Sequence, residues 1–154
     1  MLRGIILFAI IAFAGAPAPA ASRTSNQQIA AHVFLVKMGK GDFSGLERIY
    51  APGFVVHSGG KSFTLEQDNE SGKALRAAAP DMKVSVERMA GDGDLVAVHW
   101  RATGTNSAAS AGMPGNGKPF DVEGMTFFRF DHDRIIEEWS VTDWMTLMRQ
   151  LGSQ

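Results

Sequence analysis
Two carboxylates and an indole are spaced along the stretch Arg134-Ile-Ile-Glu-Glu-Trp-Ser-Val-Thr-Asp143. In a β-strand successive side chains point to opposite faces. Ile135, Glu137, Trp139, Val141 and Asp143 are therefore expected on one side. An unpartnered carboxylate on an apolar face costs free energy. A strand that carries one is either exposed there or lines a cavity where an acid is used. The chemistry such an acid offers is proton transfer. Walled by Trp139, the Asp143 carboxyl would be pushed up by desolvation. It would then take a proton from carbon beside a carbonyl and return it to oxygen. A second reading competes. Asp143 directly precedes the apolar run Trp144-Met-Thr-Leu-Met-Arg-Gln-Leu151, closed by Gly152, and is a good helix N-cap. Both readings can hold at once, because strand-to-helix junctions host caps and active-site acids alike.

Other side chains are candidates around that acid. His57 ends the short run Phe54-Val-Val-His57, a pocket-rim position. There it can hydrogen-bond a substrate carbonyl or assist proton transfer, or serve only as a structural histidine. Glu137 shares the expected face of Asp143, but six residues at ~3.3 Å each put them ~20 Å apart, too far for a two-carboxylate glycosidase. Glu137 is expected to bind a neighbouring Arg or orient Trp139, and Glu138 to be solvated. Trp139, Trp100, Phe54, Met38 and Met113, with Glu137, are candidate walls for a small, flat, apolar ligand, with plain core as the alternative. No two histidines have metal-ligand spacing, and Asp131-His132-Asp133 falls in a tight turn, so no metal is expected. There is no phosphate loop and no nucleophile elbow. A net charge of −1 gives no electrostatic reason for nucleic acid or acidic membranes as partners. The absence of cysteine excludes disulfides and thiolate metal sites.

The elements that must position these groups are legible in order. Gln27 to Met38 carries a helical stripe that Gly39 and Gly41 end. Asp42 is placed to cap a second short helix, Phe43 to Tyr50, and Pro52-Gly53 breaks it. Thr64 with Gln67 forms a capping box for a third helix that stops before Pro80. The period then changes to two. Met82, Val84 and Val86 alternate with polar residues, Asp92-Gly93 signals a hairpin, and Val96, Val98, Trp100 and Ala102 share one face of the return strand. Gly104 to Lys118 reads as a structureless lid or mobile loop. Pro119 to Asp131 is a long strand with Phe120, Val122, Thr126, Phe128 and Phe130 on one face, and Gly124 suggests a bulge or bend. The expected fold is α+β: a strongly bent antiparallel sheet forming a cone-shaped barrel, with three N-terminal helices packed over it.

Residues 1–20 have the pattern of a secretory signal: Arg3, the apolar run Gly4 to Ala14, and small residues at Ala18-Pro19-Ala20. The apolar run is shorter than the ~20 residues a spanning helix needs. Cleavage before Ala21 would leave a single exported domain, residues 21–154, with no membrane attachment and enough chain for one core.

From about Gln27 to Gly152 the chain resembles the SnoaL-like polyketide cyclases, within the nuclear transport factor 2-like superfamily. The resemblance is carried by Tyr50-Ala-Pro-Gly-Phe-Val-Val-His57, Ala79-Pro-Asp81, Asp94-Leu-Val-Ala-Val-His-Trp100, Gly104-Thr105, Gly117-Lys118-Pro119, Gly124-Met-Thr-Phe-Phe-Arg129, Ile135-Ile-Glu-Glu-Trp139 with Asp143, and Gln150-Leu-Gly152. It implies the cone-shaped barrel, a homodimer, no cofactor, and an aspartate acting as acid/base in an intramolecular aldol closure. Matched by motif, that aspartate falls on Asp143. Many relatives have His after Gly-Thr, where this chain has Asn106. The fold hosts many activities. An enzyme acting on a small carbonyl compound, an exported binding protein and a dimerisation domain are thus all compatible with the chain.

Overall fold
The computed structural model describes residues 25–152, so the expected signal lies outside the described residues. Helix α1 (Ser25–His32) runs directly into a π-helical turn, Val33–Met38. The anticipated second helix contracts to one 3-10 turn, Leu46–Arg48. Gly45 takes a left-handed conformation (φ 66°) and interrupts it, and Asp42 instead accepts from Ser44. Strands β1 (Tyr50–Ser58) and β2 (Lys61–Thr64) follow, joined through Gly59-Gly60. Helix α2 (Leu65–Ala78) opens with the expected capping box: Thr64 N–H donates to Gln67 Oε1 (3.0 Å) and Gln67 N–H to Thr64 Oγ1 (3.4 Å). At its far end Arg76 donates to the carbonyls of Met82 and Pro80, tying the helix to the chain beyond it.

Strands β3 (Lys83–Asp92) and β4 (Leu95–Thr105) form the predicted hairpin, with Gly93 at φ 60°. The loop beyond β4 is not structureless. It holds a small hairpin, β5 (Ala109–Ser110) and β6 (Met113–Pro114). Strands β7 (Pro119–Asp131) and β8 (Arg134–Thr142) and the closing helix α3 (Trp144–Leu151) complete the domain. The six long strands lie in the order β2-β1-β8-β7-β4-β3. All neighbours are antiparallel except β1 and β8, which run parallel. The fold is α+β, with helices over a bent sheet that has two edges and does not close on itself.

The core lies between helices and sheet. Val96, Val98, Trp100 and Ala102 of β4 and Phe120, Val122, Phe128 and Phe130 of β7 are buried on the shared inner face, as their alternation predicts. Phe34 enters from the π-helical turn, stacking on Trp100 (5.8 Å, 24°) and meeting Phe128 edge-on (5.9 Å). Gly124 lies in continuous register with both neighbouring strands, so it marks no bulge. Its hydrogen side makes room for the Trp100 indole, which a Cβ there would overlap.

Candidate active site
A break in alternation decides what faces the interior of β8. Phe130 pairs with Ile135, but Arg129 pairs with Glu137, so Ile136 is an extra residue in the ladder. The bulge puts both Ile135 and Glu138 inside, and Ser140 and Thr142 follow Glu138. It turns Glu137, Trp139 and Val141 to the outer face. The single face expected for Ile135, Glu137, Trp139, Val141 and Asp143 is therefore split by the bulge.

Between this inner face and the helices is a cavity of about 360 Å³. Its walls are mostly apolar, with Phe34, Phe63, Trp100, Phe120 and Val122 among them. Three ionisable groups reach it: Glu138 from β8, Lys37 from the π-helical turn and Asp68 from α2. Glu138 is only 8% exposed, and no hydrogen bond holds its carboxyl among the described residues. Burial, reinforced by the Asp68 charge and opposed by Lys37, raises it from 4.5 to about 8. Lys37 is 2% exposed; its ammonium donates to Asp68 Oδ2 (2.5 Å) and Tyr50 Oη (3.3 Å). An ammonium has three donors, so among the described residues these two bonds leave one N–H for a ligand. Burial and then the charges of Glu138 and Asp68 push the Tyr50 phenol well above its usual value, keeping it protonated. On the sheet floor Trp100 Nε1–H donates to Thr126 Oγ1 (3.1 Å), which lies 3.0 Å from Ser140 Oγ. A carboxyl that exchanges its proton near pH 8, beside a fixed cation and against aromatic walls, can move protons on an apolar molecule.

A family model for SnoaL-like polyketide cyclases matches residues 29–151. The chain belongs to this family. Among solved structures, IdmH, a candidate polyketide cyclase from Streptomyces antibioticus, is 29% identical with a TM-score of 0.71, over 81% of this chain and 96% of that one. A candidate polyketide cyclase from Acidithiobacillus ferrooxidans is 26% identical with a TM-score of 0.74, over 86% and 98%. TsrD from Streptomyces laurentii shares the fold at 20% identity, with a TM-score of 0.76 over 88% and 100%. No functionally curated protein matches the chain in sequence.

In this SnoaL-like chain the anticipated site residues separate. Met38, Trp100 and Met113 line the cavity. Met113 is brought there by the small β5–β6 hairpin. Phe54 is buried in the core against Tyr50, ring centroids 4.5 Å apart. Asp143 is exposed and is not walled by Trp139. Its Oδ1 accepts from Thr146 N–H (2.9 Å) as the N-cap of α3, and that bond holds its carboxyl below the usual carboxylate range. The upward shift expected of it is reversed, because β8 ends at Thr142 and the carboxyl is turned to the helix. His57, Glu137 and Trp139 come together on the outer face of the sheet: His57 Nε2 lies 2.9 Å from Glu137 Oε1, and the His57 and Trp139 rings stack at 5.5 Å.

Lys37 and Asp68 are not singled out by sequence, and Glu138, expected in solvent, is buried at the cavity wall because the bulge at Ile136 turns it inward. Lys37 does carry a signal: it falls four residues after Val33 and three after Phe34, on an apolar helical stripe. Asn106, which follows Gly104-Thr105, is fully buried but does not line the cavity. Its Oδ1 accepts from Gly115 N–H (2.7 Å), and its backbone pairs with Lys118 and Gly117. It latches the hairpin that carries Met113.

Proposed function
We propose that this SnoaL-like chain performs acid/base chemistry on a small, flat, apolar carbonyl compound of polyketide type, with Glu138 as the proton-transferring group. The observation that carries the reading is the unpartnered Glu138 carboxyl, buried at the cavity wall and poised near pH 8. Ionised, it takes a proton from the carbon beside a carbonyl. The free N–H of Lys37 receives the charge that develops on the carbonyl oxygen. The carbanion adds to a second carbonyl of the same molecule, forming a C–C bond, and Glu138 returns its proton to the new alkoxide. The step is an isomerisation in which atoms and charge balance. The descriptions of IdmH and of the Acidithiobacillus protein as polyketide cyclase candidates support the substrate class.

Deuterium exchange at the carbon beside the carbonyl of 1-tetralone, followed by NMR, tests this without the natural substrate. The rate should rise with pH through about 8 and fall at least ~100-fold in Glu138→Gln. Lys37→Met should move the rise to higher pH, because Lys37 opposes the burial of the Glu138 charge. A Glu138→Gln protein that exchanges as fast as the parent removes Glu138 from the chemistry.

A second reading, binding without turnover, is favoured by the resting protonation. At pH 7 Glu138 is mostly a neutral donor, suited to hold a ligand carbonyl. Tight 1-tetralone binding with no enzyme-dependent exchange would select it. Export through residues 1–20 is part of the proposal and is tested by whether the mature chain from expressing cells begins at Ala21.

A further inference from the structure
The outer face carries a second arrangement that the cavity chemistry does not use. His57 and Ser62 are opposite each other on β1 and β2, and Trp139 lies beside His57 on β8. Ser62 Oγ is 3.0 Å from His57 Nδ1, and Glu137 Oε1 is 2.9 Å from His57 Nε2. Glu137 accepts only from an N–H, which fixes the proton on Nε2 and leaves Nδ1 to accept from the Ser62 hydroxyl. The imidazole is held on a third side by its stack on Trp139. Arg129 steadies the acid: its guanidinium is 3.4 Å from Glu137 Oε2 and lies over the Trp139 ring. Beside these groups is a hollow of about 350 Å³ bounded by Gly59, Gly60, Lys61 and Val141.

A serine paired with a histidine across two strands is a common way to satisfy a ring nitrogen. Here a third group orients the base, an aromatic plate fixes its plane, and a hollow opens next to the hydroxyl, which together meet the geometric requirements of an activated nucleophile. A donor for a developing oxyanion is also placed. Ser58 and Lys61 close the two-residue Gly59-Gly60 turn as the bonded pair, so the next pair, His57 and Ser62, does not exchange backbone bonds. Because β2 is an edge strand, the Ser62 N–H then points off the sheet.

We propose that Ser62, His57 and Glu137 form an acyl-transfer site on the outer face, acting on esters whose apolar acyl group lies along Trp139 and Val141. Ser62 Oγ bonds to the ester carbonyl carbon while its proton passes to His57 Nδ1. The carbon–alkoxide bond breaks, and Nδ1 returns the proton to the leaving alcohol. Water then adds to the acyl-serine by the same route, releasing the acid and restoring Ser62. Glu137 is a positioning residue that holds the tautomer and offsets the imidazolium charge. This inference is independent of the cavity reading.

The test is labelling of the full chain with diisopropyl fluorophosphate, read by intact mass and peptide mapping. One adduct is expected, on Ser62, absent in Ser62→Ala and formed at least about 100-fold more slowly in His57→Gln. Glu137→Gln should slow labelling, and Glu137→Asp, which keeps a carboxylate to orient the imidazole, should restore part of the rate. Circular dichroism should show each variant folded; the Ser62 hydroxyl has His57 as its hydrogen-bond partner, so its loss leaves the fold intact. No adduct on Ser62 in the parent protein, or equal labelling rates with and without His57, overturns the proposal.

Discussion
Replacing Glu138 by Gln should make the protein more stable, and by an amount that grows with pH. In the folded chain the Glu138 carboxyl holds its proton up to about 8, against 4.5 for a free carboxyl. Between those values the unfolded chain has released a proton that the folded chain still carries. Stability is therefore highest below 4.5 and is lost as pH rises to about 8, after which this contribution is level. At about 1.4 kcal/mol for each decade of proton affinity, the interval comes to about 5 kcal/mol. Gln has no proton to release, so its advantage should be near zero at pH 4.5 and approach that figure at pH 8.5. Urea unfolding of both proteins at half-unit pH steps reads the difference, and groups that titrate alike in both cancel. With a slope of about 2 kcal/mol per molar, the midpoints should separate by on the order of 2 M across the window. Midpoints that stay equally spaced between pH 5 and pH 8.5 would refute the reasoning, and with it the claim that Glu138 is poised for proton transfer.

Gly124→Ala should destabilise the fold by about 3 kcal/mol in chemical denaturation, the upper end for overpacking, because the new methyl would overlap the Trp100 indole and the Val141 carbonyl. Asp143→Ala should lower the melting temperature by removing the cap of α3, most visibly above the depressed pKa where the carboxylate is ionised, and should leave the pH dependence of 1-tetralone exchange unchanged. Asn106→Ala should cost about 1–3 kcal/mol, since it strips the Gly115 amide of its acceptor in a part-buried setting. Hydrogen exchange should show the Gly115 amide as the site of the change.

The parts legible in the sequence are those where one rule acts alone. The inner faces of β4 and β7 follow strict alternation over unbroken register, so Val98, Trp100, Val122 and Phe128 are found where a period of two puts them. The capping box at Thr64 and the turn at Gly93 depend only on local chemistry. The second helix was lost because a strand and a left-handed glycine compete for the same residues. The site is harder. One extra residue, Ile136, reverses the parity of the remainder of β8, and nothing in Ile135-Ile-Glu-Glu-Trp139 itself says which isoleucine is skipped. That single step exchanges Glu137 for Glu138 in the cavity wall, so the carboxyl that reaches the cavity comes from the middle of the strand and not from Asp143 at its end. Lys37 falls on the same helical stripe as Val33 and Phe34, but its burial depends on Asp68 and Tyr50, partners that only the folded chain brings to it.

The parallel pairing of β1 with β8 has a consequence for how the molecule is made. His57 and Glu137 touch although they are 80 positions apart, and every strand between them is already complete before the ribosome supplies the partner. The β1–β2 hairpin thus emerges early and waits with one open flank until the last strand arrives. Such long-range pairings fold slowly and leave a sticky edge in the meantime. Truncation shortly before β8 should therefore yield aggregate instead of a smaller folded domain.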